Sequence, residues 1–500
     1  MNPDLNAARR SADLGELAAG ELVDVLVIGG GVTGAGVALD AASRGLKVAL
    51  VERDDLASGT SRWSSKLIHG GLRYLATGQV QVAYESAQER AHLMNKIAPH
   101  LVHRLAQVMP IYDWTKKSDV ALNGAGLGAG HVLKMFARTG KALRPPHWVG
   151  AEAALELAPG LKREGLRGAL VSYDGQVEDD ARLVIAIART AAAYGARIVT
   201  RCEVDRVTAG GAEVTDRLTG ASFQIRAKNI INATGVWADE LDTTIKLVPS
   251  RGTHVVVPSA VLGEPKAAIL AAVPGELGRY VFALPQPDGV SYVGITDVEE
   301  TARPVPRVPE PTAEEIAWIL SVLSRVVDRE VLPSDAVGAF AGLRPLVAPA
   351  AAGDSTADIS RGHLVKRTGN LITVTGGKMT TYRRMAEEAV DHVTGLACIT
   401  GELPLIGVGP VAATAPERLR RRYGVEAHRI MQLAQGDKTL LAPIADGIPV
   451  LGVEVVHAVL HEGALGVDDV LERRTRLSLV PSQAEKAKPR VAEIISATRG

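Results

Sequence analysis

Glycines at positions 29, 31 and 34, followed by a carboxylate at Glu52, have the types and spacing that hold a dinucleotide. They stand in "VDVLVIGGGVTGAGVALDAASRGLKVALVERDD". Gly29 permits a tight turn, Gly31 lets backbone approach a pyrophosphate, and Gly34 lets a helix pack on a strand. Glu52, about twenty residues further on, accepts hydrogen bonds from ribose hydroxyls. The triplet by itself does not separate NAD from FAD. A second chemical stretch, "SRWSSKLIHGGLRYL", combines hydroxyls, cations, a histidine and Gly70-Gly71, with no carboxylate. The Gly-Gly pair rules out a helix face, and Trp63, Leu67, Ile68, Leu72 and Leu75 need burial, so it is not a solvated loop either.

These residues need particular elements to position them. Val23 to Ile28 reads as a buried parallel strand, "KVALVE" as a second one, and the helix between them aims its N-terminal amides at the phosphates. After Glu52 the chain does not continue as alternating strands and helices. Ser58, Gly59, Thr60 and Ser61 instead offer small and hydroxyl groups that can wrap a second phosphate and a flavin edge. In "AKNIINATGVWADEL" a strand, Asn229 to Asn232, ends in Ala233-Thr234-Gly235. That corner reads either as close backbone approach to a ligand or as an ordinary strand-to-helix turn. "GNLITVTGGKMTTYRRMAEEAVD" repeats the pattern with a strand from Leu371 to Val374, Gly376-Gly377, and an amphipathic helix from Thr380. Three widely separated strand–glycine–helix corners indicate a discontinuous FAD domain.

Composition narrows the alternatives. Five hundred residues predict two or three domains. Lys+Arg and Asp+Glu both total 56, so no global basic field draws nucleic acid, and any anion site is local. Two cysteines, Cys202 and Cys398, exclude a disulfide framework, a cysteine-rich zinc site and a protein-borne iron–sulfur cluster. A reducing cytoplasm fits this usage. The first twenty residues read as a tail or short helix, not a signal peptide, and no apolar run is long enough to span a bilayer.

Together "GGGVTGAG", "SSKLIHGGLRYL", "INATGVWAD", "GTHVVVP", "GITDVE", "GLRPLV" and "GGKMTTYRRMAE" resemble the FAD-dependent glycerol-3-phosphate dehydrogenases of the glutathione-reductase-like, D-amino-acid-oxidase superfamily. "KLIHGGLRYL" and "GGKMTTYR" are the specific motifs; "ATG" and the glycine triplet are superfamily-wide. The resemblance implies oxidation of sn-glycerol 3-phosphate to dihydroxyacetone phosphate, with hydride passing from C2 to flavin N5. It carries cofactor contacts onto Gly29, Gly31, Gly34, Glu52, Ser58, Thr60, Ser61, Ser65, His69, Gly70, Val204, Ala233, Gly235, Gly377, Lys378, Met379 and Thr380. It carries substrate contacts onto Arg73, Tyr74, Arg344, Arg361 and Lys378, with Thr380 and Thr381 nearby.

That assignment suits the chemistry. A phosphate monoester calls for several cations, preferably arginine forks. Arg73, Arg344, Arg361 and Lys378 each stand beside a glycine or proline turn, although any one arginine alone is more commonly a salt-bridge residue. The proton acceptor should lie within hydrogen-bond reach. Of twelve histidines, His254 in "RGTHVVVP" is assigned as base or orienter and His69 as flavin contact, with Arg344 stabilising the developing alkoxide. Asp174, Asp179, Asp180 and Arg182 in "SYDGQVEDDARL" read as helix N-terminal charges and strand anchors, and no metal is required.

The expected fold is α/β: a discontinuous Rossmann-like FAD-binding domain (21–90, 165–245 and 336–395), an antiparallel-sheet substrate domain (91–164 and 246–335), and an α-helical C-terminal cap domain (396–500), after an N-terminal tail (1–20). "THVVVP", "RYVFALP" and "VSYVGITDV" alternate like antiparallel strands. "EPTAEEIAWILSVLSRVV" has helical spacing, and "RLRRR" reads as a solvated helix face. Reduced FAD needs an external acceptor, for which the resemblance implies membrane quinone. "GHVLKMFARTGKALRPPHW" has the composition of an interfacial helix, although packing on its own domain is an equal reading. The implied location is cytoplasmic, with peripheral contact on the inner face of the membrane, and a homodimer is compatible. Two rivals remain at this level: an amine or 2-hydroxy-acid oxidase, and a non-catalytic FAD-binding subunit.

Overall fold

The computed structural model describes residues 2–70, 80–116, 118, 120–121, 124, 127–128, 143–276, 278–348 and 362–499. Arg73, Tyr74 and Arg361 lie outside them, as do residues 130–142 of the basic, apolar stretch.

The apolar run ahead of the glycines forms the strand Leu22–Ile28 at the centre of an eight-stranded sheet. It pairs in parallel with Val48–Val51 on one side and Ser222–Asn232 on the other. Ser222–Asn232 pairs in parallel with Leu371–Gly376. Three corners far apart in the chain therefore end side by side at one carboxyl edge, where open α/β sheets bind ligands. Alternate residues serve two cores. Val25, Val27, Leu50 and Ile231 face the helices Val32–Ser43, Asp180–Ala193 and Tyr382–Asp391. Val23, Leu26, Ala49 and Ile230 pack beneath Leu17 on the other face.

Of the two readings of the first twenty residues, tail or short helix, the structure takes the helix. Ala7–Ala18 is a helix capped by Asn6, whose side chain accepts from the Arg9 amide at 2.9 Å. Arg10 ties it to the sheet by donating to the Thr200 carbonyl (2.7 Å) and Asp216 Oδ1 (2.5 Å).

The second sheet has ten strands and is mostly antiparallel. As the alternation predicts, Leu247–Pro258 and Tyr280–Pro285 both pair antiparallel with Val290–Gly294. The helix Ala313–Ser324 covers this sheet, started by a capping box between Thr312 and Glu315. Two strands grouped by sequence with the FAD segments belong here instead. Leu166–Val177 pairs along its length with Val102–Tyr112, and Gly338–Val347 pairs with Leu247–Pro258. Alternation shows that a strand has one buried face but not which sheet completes it. Leu67–Ile68 also joins this sheet, so the loop after Glu52 runs from one sheet to the other.

The C-terminal region is helical, with Glu417–Tyr423, Ala427–Gln432, Gly452–His461 and Pro481–Arg499. It also holds a hairpin that the sequence reading missed, Pro443–Ala445 with Ile448–Leu451, turned at Asp446-Gly447. An Asp-Gly turn was the available signal. "RLRRR" is not simply a solvated face. Arg421 reaches Glu178 at 2.8 Å and the buried Arg422 reaches Asp179 at 2.7 Å, because the acids that open helix Asp180–Ala193 lie where this domain docks. Asp179 caps that helix, as expected.

The interface is ionic and buried. Arg474 makes two hydrogen bonds to Asp55, at 2.7 and 3.0 Å, and Arg182 pairs with Glu462 at 2.9 Å. Burial alone would raise the Asp55, Asp179 and Glu462 carboxyls. Arg474 and Arg473 offset it at Asp55, Arg422 at Asp179 and Arg182 at Glu462, and all three sit below their ordinary values. For depressed carboxylates the stabilisation is complete above their unfolded pKa, about 4, and is lost as pH falls through the folded values. Thermal unfolding should therefore show the C-terminal domain loosening progressively as pH falls from about 5 towards those depressed values. Asp55→Asn should flatten part of that dependence and cost about 3–5 kcal/mol at neutral pH, since it strands buried arginines.

Candidate functional site

The two sheets meet around one cavity of about 1550 Å³, beyond the roughly 300–1,000 Å³ of most small-molecule pockets. One end is the glycine corner, where Gly29, Gly31 and Glu52 line the wall. Gly29 has φ +110°, and a Cβ on it would sit 2.6 Å from the Ala233 carbonyl oxygen. Gly34 does not line the cavity. Its role is packing, since a Cβ there would lie 1.9 Å from the Gly29 carbonyl oxygen. The Glu52 carboxylate accepts from the amides of Gly30 (2.6 Å) and Asp54 (2.8 Å) and from Ser58 Oγ (3.2 Å). Burial raises it above its ordinary value. Ser61 Oγ accepts from the Val32 amide at 2.9 Å, at the helix N-terminus where an anion is favoured.

From this corner the cavity runs past Ser58, Thr60, Ser61 and Ser65 on the crossing loop. Val204 lines it from a side strand of the first sheet, Ala233 and Gly235 from the end of its strand Ser222–Asn232, and Gly377, Lys378, Met379 and Thr380 from the third corner. Thr381 is off the wall and donates within its own turn to the Lys378 carbonyl at 3.3 Å. Gln107, Met109, Leu270, Tyr280 and Phe282 face this end from the ten-stranded sheet.

The crossing loop is held from behind. Asp180 Oδ2 accepts from the Ser64 amide (3.0 Å), Ser64 Oγ (2.8 Å) and Lys66 Nζ (2.8 Å). Lys66 Nζ also lies 4.8 Å from the Phe340 ring centroid, and burial pulls its ammonium down to about 8. Gly70 packs against Arg90. It is absent from the cavity wall, and a Cβ there would lie 2.3 Å from Arg90 Nη1. Arg90 is occupied by Asp174 at 2.5 Å.

Of the two histidines, His69 stands where a flavin contact is expected and His254 does not stand where a base is. His69 lines the cavity, and it is the one histidine that does so among the described residues. His254 is 1% exposed and stacks on Phe340 with ring centroids 4.8 Å apart. Its Nε2 is hydrogen-bonded to Ser65 Oγ at 2.8 Å, so it stands one hydroxyl back from the wall. Burial, then the Lys66 and Arg344 charges, hold its imidazole well below the ordinary value and therefore neutral. Direct action of His254 on a cavity ligand does not fit this placement.

Arg344 lines the cavity as expected. Among the described residues its guanidinium donates to Ser250 Oγ (3.2 Å), Asp297 Oδ1 (3.3 Å) and the Thr296 carbonyl (3.0 Å). Gly252 leaves the space for it, since a Cβ there would lie 2.5 Å from Arg344 Nη2. For Asp297, in "GITDVE", the one sequence signal is an acid just past a strand end. Of the four cations proposed for the phosphate, Arg344 and Lys378 thus share one cavity with the dinucleotide corner, and Arg73 and Arg361 lie outside the described residues.

Comparison with known proteins identifies the family. The family described as FAD dependent oxidoreductase matches residues 24–391, and the C-terminal domain of alpha-glycerophosphate oxidase matches 369–500. Glycerol-3-phosphate dehydrogenase 1 of Mycobacterium tuberculosis is 48% identical, over 98% of each chain. The mitochondrial glycerol-3-phosphate dehydrogenase SDP6 of Arabidopsis thaliana is 35% identical, over 99% of this chain and 86% of its own. Among solved structures, glycerol-3-phosphate dehydrogenase from Bacillus halodurans complexed with FAD aligns with TM-score 0.75 and 27% identity. That alignment covers 98% of this chain and 94% of the other.

Proposed function

The chain belongs to the FAD-dependent oxidoreductases, within them to the glycerol-3-phosphate dehydrogenases, and from that membership we propose that it oxidises sn-glycerol 3-phosphate to dihydroxyacetone phosphate. The observation that carries the reading is the single cavity joining Gly29, Gly31 and Glu52 to Arg344 and Lys378. The residues fit FAD: a glycine corner for the pyrophosphate, a carboxylate for ribose, and hydroxyls along the loop. Bound FAD supplies the two-electron acceptor for hydride from C2.

The chain's own side chains do the rest. Arg344 and Lys378 neutralise the substrate's oxygens, Arg344 with a guanidinium already oriented by Ser250, Asp297 and Thr296. Such preorganised donors cost no rearrangement when charge develops on the C2 oxygen. His69 takes the C2 hydroxyl proton, because it is the described histidine on the cavity wall. His254 orients Ser65 from behind. Arg73, Tyr74 and Arg361 complete the phosphate site by resemblance.

Electrons leave to an external acceptor, which we assign to membrane quinone. Both cysteines are free thiols, so no internal disulfide takes the electrons. No helix among the described residues is long and apolar enough to cross a membrane. Trp114 ahead of the basic, apolar stretch and Trp148 at its end are exposed, which supports contact with a bilayer surface. Anaerobic mixing with glycerol 3-phosphate should bleach the flavin absorbance. Bleaching by lactate or amino acids alone would transfer the chain to the oxidase class, and no bleaching would remove the enzymatic reading.

A further inference from the structure

The cavity wall includes Asp468, Glu472 and Arg473, which belong to the C-terminal helical domain and not to either sheet. Their segment, the wide helical turn Asp469–Arg474, grips the crossing loop at several points. Arg62, a cavity-lining residue that is 4% exposed, pairs with Glu472. Arg473 donates to Asp55 Oδ2 at 2.6 Å, beside the two bonds from Arg474. Arg476 Nη2 donates to the Arg62 carbonyl at 2.5 Å, and Arg201 reaches Asp469 at 2.5 Å. The same loop is stitched to the glycine corner through Ser61 and Glu52. Opening it to release a dinucleotide therefore means breaking contacts to the C-terminal domain.

We infer that the C-terminal domain is a clasp on the cofactor: the Asp469–Arg476 segment holds the loop from Asp54 to Lys66 shut along bound FAD, and Glu472 is its latch. This rests on FAD as the occupant of the cavity. The latch is an ion pair whose Glu472 side chain is 33% exposed, so salt should weaken it, whereas the fully buried Asp55 pairs should respond little.

The sign of one substitution separates this role from a simple field effect. As a bare negative charge beside a dianionic pyrophosphate, Glu472 would speed FAD loss, and Glu472→Gln would slow it. As a latch, its removal speeds release. The experiment dilutes holoenzyme and follows the rise of flavin fluorescence. Glu472→Gln should release FAD about tenfold faster than the wild type, for a contact worth about 1.4 kcal/mol. Raising KCl should accelerate release from the wild type and scarcely from Glu472→Gln. Arg474→Lys, which loses the fork on Asp55 but keeps the charge, should also release faster. Release at the wild-type rate from both variants, or slower release from Glu472→Gln, overturns the clasp while leaving the dehydrogenase reading intact. Wild-type protein that never retains FAD removes the cofactor reading and the clasp together.

Discussion

Arg344→Met should slow bleaching of the flavin by glycerol 3-phosphate about 10²–10³-fold, the range found when one preorganised donor to a developing oxyanion is lost. FAD content should not change, because Arg344 approaches the cavity from the ten-stranded sheet and the dinucleotide corner belongs to the other. Arg344→Lys should recover little. A lysine is a point charge and cannot satisfy Ser250, Asp297 and the Thr296 carbonyl in the fork geometry those groups impose. If Arg344 binds substrate and transition state equally, the loss will appear as a raised KM at constant kcat. The preorganised geometry predicts that the loss falls mainly on the bleaching rate at saturating substrate. A normal saturating rate in Arg344→Met would remove it from the chemical step.

His69→Asn should cost about 10²–10⁴-fold in the same rate, the usual contribution of a positioned proton acceptor, and added imidazole should restore part of it. His254→Asn should cost less. His254 has no place on the wall, and its neutral ring meets the cavity only through Ser65. The order of the two losses is the test. A larger loss at His254 would mean that the proton travels through Ser65 to the buried ring. The burial and neighbouring cations that keep that ring neutral argue against its accepting a proton.

Much of this site was legible without coordinates because its parts are local. A glycine triplet between strand and helix, an acid after the next strand, and glycines at two later strand ends are each specified within a few residues. Their parallel pairing follows from burial on both faces. Gly34 was correctly singled out for helix–strand packing. Gly70 packs against Arg90, a contact no local pattern announces.

The sequence by itself determined the dinucleotide corner, the α/β class, and the cations and hydroxyls available for a phosphorylated substrate, because short-range spacing and the identity of side chains carry that information. Only the tertiary structure decided which histidine reaches the cavity, which sheet owns Leu166–Val177 and Gly338–Val347, and that a C-terminal turn walls the cofactor end. Those outcomes depend on pairings between distant segments. There, burial and charge partners are supplied by other parts of the chain and leave no periodicity in the residues themselves.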